Sequence, residues 1–268
     1  MTEADNNSAV LEMTDLDIAS AQSPGRVVIE GVEWHVDVGD YWIVGGPPGS
    51  GKSSLLATGA GLLRPARGTH RLFGRELAGL EEAELIRHRL RVGIVFGNEG
   101  RTFSQLTVAE NVALPICYHL DCEPADVEER VNKLLEASEL SPIAHRMPGN
   151  VGRGVRQRIA LARALALEPE LLLLDNPLRE IDPPQRRWWL EFLNRLCAGQ
   201  AQLGDRRMSL VVATDDVRPW LGQGQKFAVI AGNRWQTIAS RADLERCGEP
   251  VWQELLHDET AGMQKLST

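Results

Sequence analysis

The residues best placed to do chemistry lie together at Gly45 to Ser54, GGPPGSGKSS. Gly46-x-x-x-x-Gly51-Lys52-Ser53 has the spacing of a phosphate-binding loop. Glycines let backbone N–H groups curl around an anion at close range. The N-terminus of a following helix favours its negative charge. A lysine here reaches the outer phosphates of a nucleotide, and the hydroxyl after it ligates Mg²⁺. The expected contacts are therefore Gly46, Pro47, Gly49, Ser50, Gly51, Lys52, Ser53 and Ser54, with Ser53 also a metal ligand. A chance Gly-rich turn is a poor alternative, because eight motif positions and both flanks are of the right type.

Such a loop works only between a strand and a helix. Tyr41 to Val44 reads as a buried strand and Ser53 to Ala60 as a helix. Downstream, Leu171 to Leu174 is an unbroken apolar run ending in Asp175, which suggests a central parallel strand. Its terminal carboxylate would hold Mg²⁺, directly or through water. Asp182 followed by Pro183 reads as a helix cap and first turn, with Trp189, Phe192, Leu193 and Leu196 on one face. The Trp188-Trp189 pair could stack on a ligand, but packing is the favoured reading.

The rest of the chain frames these pieces. Residues 1–9 read as a disordered tail and 10–268 as one folded domain. Strand character begins at Val27, and Val32, Trp34, Val36 and Val38 alternate with Glu33, His35 and Asp37. Further strands are expected at Gly68 to Phe73, Val92 to Phe96 and Ser209 to Ala213, and a hairpin turns at Gly232-Asn233. Helices are expected at Glu81 to Arg89, at Val108 to Val112, at Pro124 to Ser138, at Val155 to Leu167 and at Val251 to Leu256. Arg87, His88, Arg89 and Arg91 suit a solvated helix C-terminus. Strands alternating with helices argue for an α/β fold with a mainly parallel sheet.

Composition narrows the class. The 268 residues suffice for a large core, and a net charge of −8 argues against a general grip on nucleic acid. The four cysteines show no paired metal spacing and read as reduced thiols. No apolar run approaches membrane-spanning length, and the start MTEADNNSAV is polar and acidic, unlike a signal peptide. Cytoplasmic residence is the expectation, and a membrane role would need a partner to supply the spans.

Over roughly residues 11–240 the chain resembles the ATP-binding subunit of an ABC transporter. The resemblance rests on GGPPGSGKSS, VGIVFGNEGRTFSQLTVAENVALP, RQRIALARALALEPELLLLD and NPLREIDP. Within that family, ALALEPELLLLD and the helical segment are similar to the ATPases of MCE-type lipid transporters. The resemblance implies a P-loop NTPase of ABC type with an antiparallel β subdomain and an α-helical subdomain at about 97–163. It also implies ATP with Mg²⁺, a head-to-tail homodimer or heterodimer of ATP-binding subunits, and a transmembrane permease at the inner face of the membrane. Each ATP is then sandwiched between one subunit's phosphate loop and the other's LSGGQ-type loop, here Val151 to Val155 with Gly152 and Gly154 as the contacts.

Against the family pattern, the catalytic positions differ. Asn176 stands where a glutamate orients and deprotonates water. Asp215 stands where a histidine meets the γ-phosphate. Gly152 replaces the signature serine, Gly154 keeps one close-approach glycine, Arg153 reads as a solvated residue rather than a phosphate donor, and Gly97 replaces the loop glutamine, with Asn98 as a shorter substitute. No aromatic residue precedes Trp34 to stack on adenine, leaving Arg26 as a weak candidate. The residues for holding Mg-ATP remain and those for turnover are altered. The expectation is an ATP-binding transport subunit, lipid-directed by its narrower likeness, with weak or absent hydrolysis. The alternative is a nucleotide-sensing or scaffold protein without a transporter partner.

Overall fold

The computed structural model describes residues 9–23, 25–97, 102–199, 207–238 and 243. Among these residues ten strands form one sheet: β1 (Ala9–Ala19), β2 (Val27–Asp37), β3 (Tyr41–Gly45), β4 (Arg67–Leu72), β5 (Arg75–Glu76), β6 (Val92–Val95), β7 (Leu171–Asp175), β8 (Ser209–Thr214), β9 (Lys226–Ala231) and β10 (Arg234–Ile238). Their order is β5-β4-β1-β2-β10-β9-β3-β8-β7-β6. One end, β5-β4-β1-β2, is antiparallel, whereas β9-β3-β8-β7-β6 is parallel throughout. Among the described residues, the helices that accompany it are α1 (Lys52–Gly59), α2 (Glu82–Arg89), α3 (Val108–Leu120), α4 (Glu128–Ala137), α5 (Arg153–Leu165) and α6 (Pro183–Cys197). Helices α3, α4 and α5 are inserted between β6 and β7.

The parallel strands are apolar through their interiors because both faces of the sheet are covered. Leu172 and Leu174 of β7 face one core with Phe192, Trp189 and Leu161, while Leu171 and Leu173 face another with Leu55 and Leu56 of α1. Strands β3 and β8 divide the same way: Tyr41, Ile43, Leu210 and Val212 go to the first core, Trp42, Val44, Val211 and Ala213 to the second. The strand ends that carry polar residues are thereby fixed from both sides.

Two expectations need correction. Ala9 does not close a tail: it opens β1 and is buried. Strand structure therefore starts before Val27. The stretch escapes an alternation test because its pairing with β2 shifts register between Ala9 and Leu11 and again between Met13 and Leu16, with Asp15 at φ 46°. Helix α5 also starts two residues earlier than the spacing indicated, so Gly154 lies in its first turn. Residues 1–8, Asn98 and Val251 to Leu256 lie outside the described residues.

The tryptophan pair and the helix cap stand as expected. Trp189 is fully buried, and Trp188 stacks on Phe192 with Arg158 Cζ over the Trp188 ring, 4.7 Å from its centroid, so the pair is packing. The basic cluster departs in part from the solvated helix end expected: Arg87 is exposed, but Arg91 pairs with Glu170 at 2.6 Å and Arg89 donates to Gly61 O at 2.8 Å, which ties these two into the fold. Asp182 caps α6, accepting Gln185 N–H at 2.8 Å. Asp182→Ala is expected to cost about 1 kcal/mol and lower the thermal midpoint by about 2–4 °C. Calorimetric melting checks this, and an unchanged midpoint would show that the cap contributes nothing.

Candidate nucleotide site

The loop Gly46 to Gly51 leaves β3 with its start fastened to β8: Gly46 N–H donates to Thr214 O at 3.2 Å. A side chain at Gly46 has no room, since a Cβ would lie 2.7 Å from Ser50 Oγ and 3.1 Å from Ile230 O. Gly49 and Gly51 take φ of 80° and 99°, left-handed values that suit glycine. Gly51 is also pressed against Val28 and Ile29, 3.1 Å from where its Cβ would be. These constraints, with Ser50 N–H donating to Pro47 O at 3.1 Å, curl the loop over the start of α1.

Lys52 is buried, and its Nζ donates to Gly46 O at 2.6 Å and Pro47 O at 2.8 Å. Burial holds this ammonium below the usual lysine range, opposed by the carboxylates of Asp215 and then Asp175. Ser53 Oγ donates to Asp175 Oδ2 at 2.6 Å, joining α1 to the end of β7. Ser54 is turned elsewhere: its hydroxyl accepts Ala21 N–H at 3.1 Å, which rests the β1–β2 connection, carrying Arg26, against α1.

The site suits a phosphate chain on its own geometry. The first N–H groups of a helix lack intrahelical partners, and α1 has neither a side-chain cap nor an acidic residue in its first turn. The Ser50 hydroxyl is buried without a partner, while the position of a Cβ on Gly49 meets nothing within 4 Å. The lysine satisfies itself on loop carbonyls that an anion can replace.

Asn176 and Asp215, separate in sequence, are joined. Asn176 sits at φ 47°, which asparagine tolerates, donates its N–H to Ala213 O at 2.8 Å, and accepts Asp215 N–H through Oδ1 at 2.9 Å. Gly97 abuts this corner: a Cβ there would lie 3.0 Å from Asp175 O. Gly152 caps α5 with nothing within 4 Å of its Cβ position, and Gly154 allows close approach to Gln185, where a Cβ would sit 3.1 Å from Cγ. Arg153 is not a solvated bystander; it pairs with Glu180, which also meets Arg179 at 3.3 Å. Sequence reasoning missed Glu180, Ala21 and the Asn176–Asp215 bond, since no spacing rule links residues from different strands and turns.

The ABC transporter family model matches residues 29–179, more than half of the chain. The chain belongs to the ABC transporter ATP-binding family. Among its relatives, it is 34% identical over 218 residues to the sulfate/thiosulfate import ATP-binding protein CysA of Mycobacterium bovis, covering 81% of this chain but only 58% of that protein. It is 33% identical to the energy-coupling factor transporter ATP-binding protein EcfA2 of Symbiobacterium thermophilum, covering 82% of this chain and 76% of that one. In fold it is similar to cbiO1 of Clostridium perfringens, part of the ABC transporter complex cbiONQ, with a TM-score of 0.76 and 18% identity over 97% of this chain and all of that one. ATP binding is the property this family membership implies. No helix among the described residues is long and apolar enough to cross a membrane.

Proposed function

We propose that this chain is the ATP-binding subunit of an ABC-type membrane transport complex, binding Mg-ATP with weak or absent hydrolysis. One observation carries the reading. Lys52, Ser53 and Asp175 converge as a phosphate and metal grip, while Asn176 Oδ1, at the position of the catalytic base, is spent on Asp215 N–H. The loop backbone from Gly46 to Ser53 and Lys52 would hold the phosphates; Ser53 and Asp175 would hold Mg²⁺. Bound Mg²⁺ neutralises charge on the outer phosphates. An amide cannot take the proton of an attacking water at neutral pH, and Asp215 places a like charge where the γ-phosphate would lie.

Partnership with a permease is supported by the relatives' names and by a groove of about 500 Å³ between β6 and α3, lined by Val92, Ile94, Phe96, Leu114 and Tyr118. Tyr118, at 78% exposure, is unusual for so large a side chain. Pairing with a second ATP-binding subunit, identical or not, would place Gly152 and Gly154 against the partner's nucleotide. A lipid cargo rests on the resemblance of ALALEPELLLLD and the length of the helical segment. Purified protein at saturating Mg-ATP is expected to turn over well below about 1 s⁻¹. Sustained turnover at or above that rate, by phosphate release, would overturn the impaired-site reading.

A further inference from the structure

We propose that Asp215 makes this site select a nucleoside diphosphate over the triphosphate, an inference that rests on the nucleotide-site reading above. Its position is fixed by the fold. The preceding Thr214 carbonyl accepts Gly46 N–H at 3.2 Å, at the mouth of the phosphate loop. Asp215's own N–H is held by Asn176 Oδ1 at 2.9 Å, and the next residue's N–H donates to Thr214 Oγ1 at 3.1 Å. Main-chain bonds on both sides therefore keep this residue at the end of β8, level with the end of β7 through the pairing of Asp175 with Ala213.

Charge then decides the preference. Among the carboxylates acting on the buried Lys52 ammonium, Asp215 acts more strongly than Asp175. Arg179 also acts on Lys52, but it is half exposed and paired with Glu180 at 3.3 Å. The α- and β-phosphates of a nucleotide would be taken by the loop N–H groups, with Lys52 reaching the outer phosphates. A γ-phosphate extends beyond them toward the strand ends. There Asp175 would hold the metal, and the Asp215 carboxylate, which acts on Lys52 from the same end of the site, would meet the added charge. Asn176, which spends its side-chain oxygen on Asp215 N–H, is a neutral amide and brings no positive charge to offset the carboxylate. A like charge at such range weakens binding on the order of tenfold in a half-solvated site. A diphosphate ends before that point and escapes the repulsion.

Calorimetric titration of the full chain with Mg²⁺ tests this, using ADP and a non-hydrolysable imido analogue of ATP. Wild type is expected to bind ADP about tenfold more tightly than the analogue. Asp215→Asn should bring the two within about twofold by strengthening the analogue, and Asp215→Glu, which keeps the charge, should keep the preference. Equal or tighter binding of the analogue by wild type overturns the proposal, as does Asp215→Asn shifting both ligands by one factor. If Asp215→Asn does not fold, the wild-type ratio decides. Absence of heat with either ligand would instead remove the nucleotide-site reading itself.

Discussion

Asn176→Glu is expected to raise the rate of phosphate release from Mg-ATP by about 10²- to 10⁴-fold. The wild-type side chain is an amide whose Oδ1 is already an acceptor for Asp215 N–H, so it offers no basic group to an attacking water. A glutamate at the same backbone position follows Asp175 directly, beside the proposed metal, and supplies one. The substitution has a structural cost. Residue 176 sits at φ 47°, a left-handed conformation that glutamate adopts about 1–2 kcal/mol less readily than the helical one. The bond to Asp215 N–H is lost as well. The variant should therefore melt earlier while hydrolysing faster, a combination that a general loosening of the site would not give. Phosphate release and thermal melting on the same preparations check both. A rate unchanged from wild type, with ATP shown to be bound, would mean that the missing base is not what limits turnover.

Lys52→Ala is expected to weaken ATP binding by about 100-fold or more. The Lys52 ammonium is buried and its two donated bonds end on Gly46 O and Pro47 O, the loop's own carbonyls. An incoming phosphate exchanges those neutral acceptors for a charged one, and hydrogen bonds between charged groups contribute about 1.5–3 kcal/mol each. Losing that exchange removes the main positive charge at the outer phosphates. Calorimetric titration with ATP and Mg²⁺ measures the effect. An affinity within about threefold of wild type would place the nucleotide elsewhere.

Much of this site could be read along the chain because its parts are local. The loop Gly46 to Ser53 needs its glycines at fixed offsets, and β7 announces itself by four leucines buried on both faces before Asp175. The cap at Asp182, and the turn at Gly232-Asn233 whose two residues take positive φ, are also decided within a few residues. What could not be read depends on distant partners. Strand β1 hides behind register shifts that break its alternation. The bond between Asn176 and Asp215 spans 39 positions and exists only because β7 and β8 lie side by side. Arg153 looked solvated in sequence, yet the fold brings Glu180 to it.

The bare backbone at Gly97 bears on how force would cross the molecule. Its α-carbon lies beside the Asp175 carbonyl, and its neighbour Phe96 lines the groove proposed above for a permease. A displacement pressed into that groove would reach the metal-side carboxylate through a single main-chain step, as a rigid strut rather than a swinging arm. Communication between membrane partner and nucleotide would then be stiff and short-ranged, sensitive to anything that thickens this one contact.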